Sequence, residues 1–130
     1  MPQAYFGGFL RRPSLAEVKR YMRGDCAYLA LAWARLEPQA QLVEVARQHF
    51  AVCLSPGVYG DIRGRMTEAQ LRDGLPDQAL ICPMDRDEVL ALLATGVYSD
   101  GPYVPHREKV AQSLLRQLGV GPAPPRARPR

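Results

Sequence analysis

Three stretches decide the fold: GDCAYLALAWARL (24–36), HFAVCL (49–54) and VYGDIRG (58–64). In the first, Cys26, Leu29, Ala30, Trp33 and Leu36 recur at helical spacing. A helix is therefore expected to open at Cys26, with Asp25 as its N-cap, and to stop at Pro38. The second stretch is rich in β-formers and predicts a strand. Ser55-Pro56-Gly57 is turn chemistry, Val58–Arg63 predicts the next strand, and Gly64 is expected to break it.

Working outward, Ser14 with Glu17 forms a capping-box pattern and predicts a short helix to about Met22. Leu42–Val45 and Ala79–Cys82 read as short strands. Thr67 caps a short helix through Leu71, and Asp85 or Asp87 opens another to Ala94. Thr95–Pro105, with its glycines and prolines, reads as a loop before a last helix, His106–Leu118. Helices, then clustered strands, then helices make an α+β protein rather than alternating βαβ units. The expected architecture is a small antiparallel sheet packed against the helix that carries Cys26, with further helices C-terminal. Residues 1–118 form one domain and 119–130, GVGPAPPRARPR, a disordered Pro/Arg-rich tail.

The bulk numbers exclude several classes. At 130 residues the chain buries about two-thirds of its unfolded surface, so it needs no disulfide or metal to fold. Its three cysteines form no CxxC pair, which argues against a disulfide framework and a structural zinc. The net charge of +4 is concentrated in the tail, at Arg126, Arg128 and Arg130. No basic patch interleaves with aromatics, so a nucleic-acid partner is not the expected one, and binding through the Arg-rich tail is the weakest of the readings. The longest apolar run, Cys26–Ala34, is too short to cross a bilayer, and no signal peptide is read. We expect a cytoplasmic protein without a membrane, metal or cofactor.

Chemistry converges on three residues. A thiol attacks as thiolate, which a helix N-terminus and a neighbouring imidazolium stabilise. Cys26 stands first in its helix, where backbone N–H groups also suit an oxyanion. Of two histidines, His49 opens a strand; His106 starts the last helix and is expected to be exposed. If Ser55-Pro56-Gly57 is a three-residue turn, Cys53 faces Tyr59 and Ala51 faces Asp61. Asp61 then shares a face with His49 on a diagonal of roughly 7–8 Å. A two-residue turn would put it on the other face.

These segments resemble the core of the papain-like and transglutaminase-like superfamily, in which a Cys opens a helix, a His starts a strand and an acid or amide follows on the next strand. They also resemble bacterial and phage proteins with a G-D-C…H-x-x-V…D-x-R-G pattern. The likeness covers about residues 20–75. It implies a Cys26–His49–Asp61 triad and thiol-based acyl transfer: amidase, deamidase, peptidase or transglutaminase-like chemistry on a protein, peptide or amide substrate.

Arg63 and Arg65 flank Gly64 near this site and are candidates for binding a carboxylate or phosphate of the substrate, with solvated surface as the plainer reading. Gly24 is expected to let another segment approach closely. Cys53, Cys82 and Trp33 read as core or structural, and Asp85, Asp87 and Glu88 as helix-capping. The competing reading is a non-enzymatic interaction or inhibitor protein on the same fold, phage or mobile-element encoded, with a silent site. It draws on the short Cys26–His49 spacing and on the lack of a Gln shortly before Cys26.

Overall fold

Helix formation follows the strongest local signals. The computed structural model describes residues 6–76, 78–98 and 101–122. Helix α1 (Leu15–Met22) opens with the expected capping box: Ser14 Oγ accepts from the Glu17 N–H, and the Glu17 carboxylate accepts from the Ser14 N–H. Helix α2 (Cys26–Leu36) is buried on nearly every side. A helix apolar all round belongs in the middle of a structure. It lies between the sheet and helix α5 (Pro105–Gln117).

The strands are β1 (Gln41–Val45), β2 (His49–Ser55), β3 (Val58–Asp61), β4 (Gly64–Thr67) and β5 (Ile81–Met84). They form a five-stranded sheet in the order β4-β3-β2-β1-β5, antiparallel at every pairing. Short helices α3 (Glu68–Leu71) and α4 (Arg86–Ala94) start at Thr67 and Asp85, each with a capping box. The protein is α+β, with the sheet packed against the Cys26 helix.

Side-chain alternation splits the core in two. Phe50 and Val52 pack on α2, while Val43, Val45, Ala51, Tyr59 and Met66 pack with Leu71 on the other face. Gly60 lies where β3 passes the indole of Trp33. A Cβ there would stand 2.7 Å from the ring, a distance no side chain tolerates.

Three expectations are corrected. Gly64 does not end the strand region but begins β4, after a tight turn at Ile62-Arg63. Its φ of +106° suits glycine, and Gly7 stacks so closely that a Cβ would lie 2.6 Å from that backbone. Strand β5 starts two residues later than expected, where Ile81 pairs with Val45. The ordered body also runs past Leu118: Val120 is 1% exposed, and its N–H donates to the Leu115 carbonyl. The rest of the expected disordered tail, residues 123–130, lies outside the described residues. A fully buried valine is worth about 1.5–3 kcal/mol. A chain ending at Leu118 is thus expected to melt roughly 5–10 °C below one ending at Pro122. Equal melting curves would show that Val120 contributes nothing.

Candidate active site

The β2–β3 hairpin sets the site's geometry. Its turn is shorter than expected, with only Pro56-Gly57 between the paired Ser55 and Val58. By itself that would put Asp61 on the wrong face. A β-bulge between Cys53 and Ser55 inserts Leu54 as an extra residue and restores the parity. Cys53 therefore faces Tyr59, as expected. His49, first in β2, and Asp61, last in β3, meet at the same end of the sheet.

The two are hydrogen bonded, His49 Nε2 to Asp61 Oδ2 at 3.0 Å. Both are buried, 6% and 2% exposed. The other ring nitrogen, Nδ1, is buried with no hydrogen-bond partner. Cys26, first residue of α2, approaches the same ring closely enough to act on its charge. Burial pushes the His49 imidazole down, but Asp61 and then Cys26 outweigh it and hold it up at about 9. Burial likewise pushes Asp61 up, and His49 together with Arg63 pulls it down to about 2. The Cys26 thiol also points back to its own chain, with Sγ 3.6 Å from the Arg23 carbonyl.

Asp61 has a second cation. Arg63 Nη2 donates to Asp61 Oδ2 at 2.7 Å, and Nε lies 3.2 Å from both carboxylate oxygens. The Arg63 backbone N–H also donates to Oδ1 at 2.7 Å. Arg63 is 2% exposed, and its remaining donors reach the Gln70 and Leu71 carbonyls at 3.5 and 3.4 Å. It does not sit in solvent: it holds the carboxylate that holds the imidazole. The pairing depends on the reversal at Ile62-Arg63, and an ion pair of Asp61 with Arg63 is the plainer of the readings the sequence offers for that acid.

The other expected binding residues fall elsewhere. Arg65 pairs with Glu37 at 2.8 Å, and its guanidinium lies 5.5 Å from the centre of the Trp33 ring. Trp33 Nε1 donates to the same Glu37 at 2.9 Å, so Arg65 ties β4 to the end of α2. Gly24 has nothing within 4 Å of where a Cβ would stand, so no close approach on that side calls for glycine. Asp25 does not cap α2 through its side chain. Its buried carboxylate pairs instead with Arg20 at 2.8 Å and with Arg107 of α5. The first-turn N–H groups of α2 are thus left without a side-chain cap. His106 is exposed, as expected.

Sequence reading missed Glu44 and Tyr98. Glu44 is 7% exposed, and the Tyr98 hydroxyl donates to its carboxylate at 2.5 Å. Tyr98 also packs edge-on against Phe50, the neighbour of His49, with centroids 5.0 Å apart. A carboxylate inside a strand that reads apolar was the available signal. Among the described residues, no group of three His, Cys, Asp or Glu is placed to hold a metal, and no helix is long and apolar enough to cross a membrane. Comparison with protein-family models, with curated proteins and with solved structures finds no match.

Proposed function

We propose that the protein is a thiol-dependent acyl-transfer enzyme with a papain-like or transglutaminase-like core. The meeting of a helix-start cysteine with a buried His49–Asp61 pair carries this reading. Asp61 is one anion facing two cations, Arg63 and a His49 held charged up to about pH 9. Cys26, at the start of α2, stands close enough to this ring to act on its charge, and is the sulfur this reading assigns as nucleophile.

In the reaction, the Cys26 sulfur attacks an amide carbonyl and a C–S bond forms. The uncapped first turn of α2 offers N–H groups to the oxyanion. The C–N bond then breaks as His49 gives its proton to the leaving amine. Water or a second amine next attacks the thioester, loses its proton to His49 and releases the acyl group. Asp61, clamped by Arg63, fixes the ring so that one nitrogen serves the sulfur throughout. A protein, peptide or amide substrate fits this chemistry, and a free thiol nucleophile suits a reducing cytoplasm.

The burial of Cys26, 2% exposed, favours the second reading, an interaction or inhibitor protein with a silent site. Alkylation separates the two. With limiting iodoacetamide at pH 6 and pH 7.5, peptide mapping is expected to find Cys26 modified first, ahead of the half-buried Cys53 and Cys82, at a rate that changes little between the two pH values. Equal labelling of all three cysteines, or an inert Cys26, leaves the silent-site reading standing.

A further inference from the structure

The connection from β1 to β2, Ala46–Arg47–Gln48, ends one residue before His49. Ala46 and Arg47 hold φ angles of +56° and +57° without being glycine. Each such residue costs about 1–2 kcal/mol. Asn-Gly or Gly-Gly would make the turn more cheaply, so the side chains held there need a reason.

The turn separates two cavities. The larger, about 410 Å³, has apolar walls from Ala46, Pro76, Ala79, Leu80 and Cys82, with Glu44 also lining it. The smaller, about 210 Å³, lies against His49 and Arg63. Gln48, the residue before His49, lines both, so the larger cavity lies one residue from the wall of the cavity that holds the imidazole. Leu80 is 70% exposed at the larger cavity. Its carbonyl takes the Ala46 N–H at 2.9 Å, which pins the strained turn beside it.

Charge narrows the occupant. The Glu44 carboxylate is committed to Tyr98. Arg47 is exposed and forms no ion pair among the described residues. The groove thus offers an apolar bowl, the exposed Arg47 guanidinium at its rim, the Glu44 carboxylate held by Tyr98 and, at Gln48, an amide able to donate to and accept from an extended backbone. A cavity of this volume is in the range of ligand sites.

We propose that this groove binds the substrate as an extended polypeptide in which apolar and acidic residues alternate. The apolar side chain enters the bowl at Leu80 and the carboxylate pairs with Arg47. The proposal rests on the thiol reading of Cys26 and adds the substrate class to it.

Competition for alkylation tests it without assuming which way the peptide runs. Cys26 is alkylated by iodoacetamide in the presence of acetyl-Leu-Glu-Leu-Glu amide, acetyl-Leu-Lys-Leu-Lys amide or acetyl-Ser-Glu-Ser-Glu amide. The first should halve the rate at a concentration about tenfold below the other two, a difference of about 1.4 kcal/mol. Arg47→Glu should transfer the preference to the lysine peptide. Leu80→Ser should abolish the advantage of leucine over serine. For each variant, protection is read as the ratio of the rates with and without peptide. Equal protection by all three peptides, protection by none, or a preference that survives Arg47→Glu overturns the groove assignment while Cys26 remains reactive. A Cys26 that no reagent alkylates overturns the thiol reading, and this proposal with it.

Discussion

Asp61→Asn is expected to lower the melting temperature by about 10–20 °C. The substitution keeps the shape and removes the charge. Arg63, 2% exposed and bound to Asp61 through Nε, Nη2 and its backbone N–H, is left as a buried cation without its anion. Breaking a buried pair in this way costs about 3–5 kcal/mol. In a domain of this size each kcal/mol moves the midpoint by roughly 3–5 °C. The double variant Asp61→Asn/Arg63→Met should recover part of the loss, because no unpaired guanidinium then remains. A single-variant drop of under about 3 °C by calorimetry, or a double variant worse than the single, would show that the pair does not hold this end of the sheet.

His49→Gln is expected to slow alkylation of Cys26 at pH 6 by about a hundredfold. Without the imidazolium the thiol has no partner cation at the ring. A thiol of ordinary pKa, about 8.5, is ionised to only a few parts per thousand at pH 6. Stability supplies an independent reading. The folded-state pKa of His49, about 9, is above the usual 6.5, so its contribution is complete below pH 6.5 and disappears as pH rises through about 9. Asp61, held at about 2, contributes fully above its usual 3.8 and loses that contribution as pH falls through about 2. The melting gap between wild type and His49→Gln should therefore be widest below pH 6.5 and close between pH 6.5 and 9. A gap that widens with pH has the wrong sign and would mean that His49 is neutral in the folded protein.

The sequence made some of this architecture readable because some of its causes are local. Capping boxes at Ser14, Thr67 and Asp85 act over three residues, and each marks a helix start correctly. The apolar period of α2 and the β-rich HFAVCL are equally short-range. Within the site, Cys26, His49 and Asp61 were legible as residue types at suggestive places, and the structure brings them to one end of the sheet.

What failed to show in sequence depends on distant or uncounted partners. Asp25 has the chemistry of an N-cap, but Arg107, 82 positions away, claims its carboxylate. Nothing in Val58–Arg63 marks Ile62-Arg63 as a turn, so β4 went unseen and Arg63 read as solvated surface or a substrate ligand rather than a buried partner. The parity of His49 and Asp61 came out right through a different route, a two-residue turn plus the bulge at Leu54.

That bulge bears on how the chain can diverge. One codon lost between Cys53 and Val58 would leave a plain two-residue turn with Cys53 still opposite Tyr59, so the Asp61 carboxylate would stay on the side of His49 and Arg63. A diverging chain can shed the bulge and keep the buried cluster.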